Sequence, residues 1–66
     1  MRLWLNGEAR DYTDASDVAA LVAQLPLPAP TLLIEHNGTA LRRDEWSTST
    51  LRDGDQIEVI SIVAGG

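Results

Sequence analysis

Met1, Leu3 and Leu5 alternate with Arg2, Trp4 and Asn6 at the start of the chain. A period of two predicts a strand with one face turned inward. Asn6-Gly7 follows. A type I′ turn needs positive φ at both central residues, so this pair predicts a tight hairpin returning over Glu8 to Tyr12. In the polar connection Thr13 to Asp17, either Ser16 or Asp17 can accept the free N–H groups of a helix start. Val18, Leu21, Val22 and Leu25 then recur at i, i+3, i+4 and i+7, one apolar helical stripe. Pro26 stops that helix, and Pro28 and Pro30 predict an extended link from Leu25 to Pro30.

Thr31 to His36 predicts a third strand, with Leu32 and Ile34 on one face and Leu33 and Glu35 on the other. Asn37-Gly38 repeats the hairpin signal, and Thr39 to Leu41 makes a short fourth strand. Arg42 to Trp46 predicts a brief helical turn, and Leu51 stands as a single apolar anchor in a polar stretch. Asp53-Gly54-Asp55 predicts a turn, and Gln56 to Val63 is the longest β-branched run and the last strand. Hairpin, helix, strand pair and strand make an α+β domain of the β-grasp (ubiquitin-like) type. It has a mixed sheet of four to five strands, one main helix packed on one face and a short helical turn. The helix connection makes the first and last strands parallel neighbours with a right-handed crossover, and in the β-grasp order the first, third and last strands lie together. Residues 1–63 form the single domain, and Ala64-Gly65-Gly66 is expected to be a loose tail.

Composition narrows the function. Sixty-six residues make one small domain, with little room for a deep active site. Ten acidic residues against five arginines give a net charge of −5, which repels a phosphate backbone and argues against nucleic-acid binding. No cysteine is present, so thiolate metal sites and disulfides are excluded. No apolar run nears the ~20 residues that cross a bilayer, and Met1 to Leu5 lacks the pattern of a secretory signal. A cytoplasmic protein is the expectation, without a membrane partner.

The side-chain chemistry is sparse. His36 shares the parity of Ile34 and is expected to be partly buried in a structural role; a lone histidine makes no metal site. Asp53/Asp55 and Asp44/Glu45 offer paired carboxylates, but solvated turn acids explain them better than acid–base catalysis. The chain is therefore expected not to be an enzyme and to bind neither metal nor cofactor. What remains is the terminal carboxylate on Gly66, behind Ala64 and Gly65. Three such residues reach at most about 10 Å, carry no bulk and take any backbone angle a partner's channel requires. A carboxylate is a poor electrophile and has to be activated, usually by adenylation. If Leu3 and Ile57 face the helix, then Trp4, Leu33, Ile60 and Ile62 face away and form an apolar patch, the expected partner-binding surface.

Taken together the chain resembles the ThiS family, the ubiquitin-like sulfur carriers of bacterial thiamine biosynthesis. The likeness runs over the whole chain: the strand ending in Asn6-Gly7, the stripe Val18, Leu21, Leu25, and Asn37-Gly38 followed by Leu41, Arg43 and Trp46. It continues through Leu51, Asp53-Gly54-Asp55 and Ile57-Glu58-Val59 to Val63-Ala64-Gly65-Gly66. The resemblance implies that a ThiF-type adenylating enzyme, using ATP and magnesium, activates the Gly66 carboxylate. A cysteine desulfurase or sulfurtransferase supplies sulfur, and the resulting thiocarboxylate donates sulfide to thiazole synthase. Ala64 and Arg42 stand where the family usually has glycine and proline, and His36 where it has an aliphatic residue. A β-grasp carrier for molybdopterin or another pathway is one alternative; a ubiquitin-like modifier, forming amide links to lysines, is another.

Overall fold

The first hairpin forms as its dipeptide demands. β1 (Arg2–Leu5) and β2 (Glu8–Asp11) pair antiparallel, with Leu5 opposite Glu8. Asn6 and Gly7 between them sit at φ 50° and 82°. An asparagine tolerates this left-handed region and glycine enters it freely, so the turn costs little. The computed structural model describes residues 1–62. Val63 and the expected tail Ala64, Gly65 and Gly66 lie outside the described residues.

Helix α1 (Val18–Ala23) starts at Asp17, whose carboxylate accepts the Ala20 N–H at 2.8 Å. Asp17, not Ser16, is therefore the cap. The helix ends at Ala23, with Gln24 as its C-cap two residues before Pro26, but the stripe holds: Val18, Leu21 and Val22 are buried and Leu25 packs beside them. The link that follows is not extended throughout. Ala29–Thr31 forms a 3₁₀ turn, with the Thr31 N–H and hydroxyl both donating to the Pro28 carbonyl, at 3.0 and 2.8 Å. Proline's fixed φ suits a 3₁₀ turn as well as an extended chain, and these two bonds decide between them.

β3 (Leu32–His36) and β4 (Thr39–Leu41) form the second hairpin, again through a left-handed Asn-Gly pair. A second 3₁₀ segment covers Arg43–Thr48, and β5 covers Gln56–Ser61. The five strands of the described residues lie in the order β2-β1-β5-β3-β4, with β5 parallel to β1 and antiparallel to β3. The sheet is thus the mixed β-grasp sheet of the sequence reading, with the last strand in its centre.

One face of the sheet meets the helix. Leu3, Leu32, Ile34 and Ile57 from the strands pack with Val18, Leu21 and Val22, and Ala15, Trp46 and Leu51 close the edges. Leu51 is more than a lone anchor. Residues 49–51 run beside 16–18, with Val18 N–H donating to the Ser49 carbonyl and Leu51 N–H to the Ser16 carbonyl, both at 3.0 Å. No helix among the described residues is long and apolar enough to cross a membrane.

Candidate functional site

Covering one face of the sheet with the helix leaves the other open. Strand parity sends Leu3, Ile34 and Ile57 inward and the alternate residues outward. Trp4, Leu33, Ile60 and Ile62 are accordingly 45%, 51%, 49% and 49% exposed. Register then decides which of them meet. Leu33 lies directly opposite Ile60, and Ile62 stands one outward step further along, its N–H donating to the Thr31 carbonyl at 2.7 Å. Trp4 lies opposite Gln56, four residues from Ile60, or about 13 Å along the strand. The row between holds Glu58, paired with Glu35. The open face therefore carries Leu33, Ile60 and Ile62 at one end, Trp4 at the other, and two carboxylates across its middle, where the sequence reading expected one apolar patch.

β5 joins this face to the end of the chain, and both Asn-Gly turns hold it in place. On the β1 side, Asn6 Oδ1 accepts the Val59 N–H at 2.7 Å while its Nδ2 donates to the Val59 carbonyl at 3.2 Å. The side-chain amide thus replaces the strand that β1 no longer provides beyond Leu5. On the β3 side, Asn37 Oδ1 accepts the Gln56 N–H, and the Asn37 N–H donates to the Gln56 carbonyl, both at 2.8 Å. The sequence pattern marks these asparagines only as turn formers. Their second use depends on which strand lies alongside, and no local pattern carries that information.

Asp55 anchors the start of β5. Its carboxylate accepts from His36 Nε2 at 2.7 Å, Asn37 Nδ2 at 3.1 Å and the Arg52 N–H at 2.9 Å. A carboxylate acceptor places the proton of His36 on Nε2. Both side chains are largely covered, at 16% and 15% exposed. Burial pushes the Asp55 carboxyl up, but the bonds from His36, Asn37 and Arg52 outweigh it and hold it below the usual carboxylate value. Asp53 accepts the Arg2 N–H at 2.6 Å. Asp44 faces Arg42 at 3.3 Å, and Glu45 accepts the Arg42 N–H at 2.7 Å. Asp53, Asp55 and Glu45 thus accept backbone N–H groups at turns, and Asp44 pairs with the exposed Arg42 side chain. Among the described residues no cluster of three or more His, Asp or Glu side chains is arranged to hold a metal ion.

Arg43 and Trp46 form a unit. The guanidinium lies 5.1 Å from the centre of the buried indole ring, and its Nη2 donates to the Ala29 carbonyl at 2.6 Å. Three residues per 3₁₀ turn bring positions i and i+3 over one another, which explains the spacing of this pair.

Gly66, expected to be the reacting residue, and Ala64 and Gly65 before it lie outside the described residues. What the structure places is the strand that leads towards them, in the middle of the sheet, and the face beside it.

Comparison with known proteins agrees with this architecture. The model of the ThiS family matches residues 3–66. The crystal structure of a thiamine biosynthesis protein (ThiS) from Geobacter metallireducens superposes with a TM-score of 0.83 at 30% identity, covering the whole of both chains. A thiazole synthase from Paramagnetospirillum magneticum is 27% identical over 66 residues, all of this chain but 20% of that protein. The chain thus spans about a fifth of the length of that relative.

Proposed function

The chain belongs to the ThiS family, and from that premise we propose that it is a sulfur carrier of thiamine biosynthesis whose reactive group is the Gly66 carboxylate. The observation that carries this reading is the family match, which continues through the last glycine on a fold aligned over its full length. In the proposed cycle a carboxylate oxygen of Gly66 attacks the α-phosphorus of ATP in a ThiF-type enzyme, and pyrophosphate leaves. The terminal sulfur of a persulfide, supplied by a cysteine desulfurase or sulfurtransferase, attacks the acyl carbon and AMP leaves. A thiol then cleaves the S–S bond and leaves the thiocarboxylate. The relative named as a thiazole synthase supports an enzyme of that kind as the sulfide acceptor.

The chain itself acts as co-substrate rather than catalyst. Its part is to offer one atom and to hold its partners. Four residues follow Ile62 and span at most about 14 Å, so the adenylating site must come close to the end of β5. The open face beside that strand is the proposed docking surface, with Leu33, Ile60 and Ile62 as its apolar end and Trp4 as its other end. The test is intact-mass analysis after incubation with the adenylating enzyme, ATP, magnesium and a persulfide donor. The proposal expects one oxygen of Gly66 replaced by sulfur. An unchanged mass, with the enzyme shown to be active on another carrier, contradicts it.

A further inference from the structure

Glu35 and Glu58 stand directly opposite each other on β3 and β5, on the open face. Facing side chains on neighbouring strands have Cβ atoms about 4.5–5.5 Å apart, and like charges so placed repel. The chain offers them no relief. It has no lysine. All five arginines are among the described residues, and none forms an ion pair with either glutamate. Arg2 is on Asp11, Arg10 on Glu8 and Arg42 on Asp44. Arg43 is held between Trp46 and the Ala29 carbonyl, and Arg52 makes no ion pair among the described residues. The free domain thus holds two uncompensated carboxylates in the middle of its open face.

Next to them is a place for a cation. Trp4, Gly7, Gln56 and Glu58 line a surface hollow of about 160 Å³. An exposed indole attracts a cation to its ring, and a carboxylate accepts that cation's N–H groups. A guanidinium suits both, being planar, weakly hydrated and rich in donors.

We propose that the open face receives a partner protein whose arginine enters the Trp4/Glu58 hollow beside Glu35, while neighbouring apolar side chains cover Leu33, Ile60 and Ile62. This rests on the docking surface proposed above and adds the chemistry that selects the partner. A second copy of the chain does not fit. A two-fold contact through this face brings four glutamates together, between chains that each carry a net charge of −5. The carboxylate pair therefore selects for a basic partner and against self-association.

The experiment measures binding of the full chain to the ThiF-type enzyme of the same organism, at several salt concentrations, by calorimetry. Wild-type affinity is expected to fall as salt rises. Glu35→Gln/Glu58→Gln is expected to bind at least about tenfold more weakly, with a flatter salt dependence, and to melt a few degrees higher because the repulsion is gone. Trp4→Leu is expected to weaken binding several-fold without flattening the salt response. A double amide variant that binds as wild type does, while Ile60→Asp loses binding, overturns the arginine site and leaves the docking face standing. Unchanged binding by Ile60→Asp removes the docking face itself. A lower melting temperature for the amide variant also contradicts the proposal, since the pair would then be stabilising the free domain.

Discussion

Asp55 holds three donors from two segments, the consecutive His36 and Asn37 at the end of β3 and the Arg52 N–H, and so ties the start of β5 to both. Its carboxyl is held below the usual value near 3.8, so as pH falls the unfolded chain takes up the proton first. The stability it contributes is therefore complete above about pH 5 and is lost as pH drops through 4 and below. Asp55→Asn is expected to lower stability at pH 7 and to flatten the acid limb of a plot of unfolding free energy against pH. High salt sharpens this measurement. Asp11 is also held low, by a hydrogen bond and the charge of Arg2, but that pair is exposed and salt screens it. An acid limb unchanged in Asp55→Asn at high salt would show that Asp55 is not its source. Arg43 is the second residue with a local account. Replacing it by alanine removes the contact with Trp46 and the bond to Ala29, and is expected to cost about 1–2 kcal/mol in chemical denaturation.

Among the elements, the two hairpin turns do more than reverse the chain. Asn6→Gly separates the two uses, because glycine keeps the positive φ but loses both bonds to Val59. If the turn were all that mattered the change would be near neutral. The bonds to β5 predict a loss of about 1–2 kcal/mol, read by urea denaturation. In the helix, Leu21 is fully buried against the sheet, and Leu21→Ala is expected to cost about 2–5 kcal/mol. Both hairpins, the helix stripe and the parity of β3 and β5 are legible in the sequence, because each rests on periods and turn residues within a few positions. The 3₁₀ turn at Ala29–Thr31 is not, since proline permits two conformations and a bond to Pro28 chooses. The pairing of 49–51 with 16–18 carries no local signal either. At the candidate site, exposure of Trp4, Leu33, Ile60 and Ile62 follows from parity alone. The Glu35–Glu58 row that separates Trp4 from the others needs the register of strands far apart in sequence.

For the molecule as a whole, size and function fit together. A domain of 66 residues has about 3–10 kcal/mol of stability, nearly all of it from one small core between helix and sheet. That core accounts for one face of the sheet and leaves the other open, where the proposed docking surface lies, with the central strand leading to the proposed reactive end. Deleting Gly66 is therefore expected to leave the melting temperature unchanged while abolishing any modification by the adenylating enzyme. The most direct measurement is the intact mass of the wild-type and Gly66-deleted chains after reaction with that enzyme, ATP, magnesium and a persulfide donor. Sulfur in place of one oxygen on the wild-type chain, located on Gly66 by fragmentation and absent from the deleted chain, is the expected result. Sulfur at any other residue, or equal labelling of both chains, would contradict it.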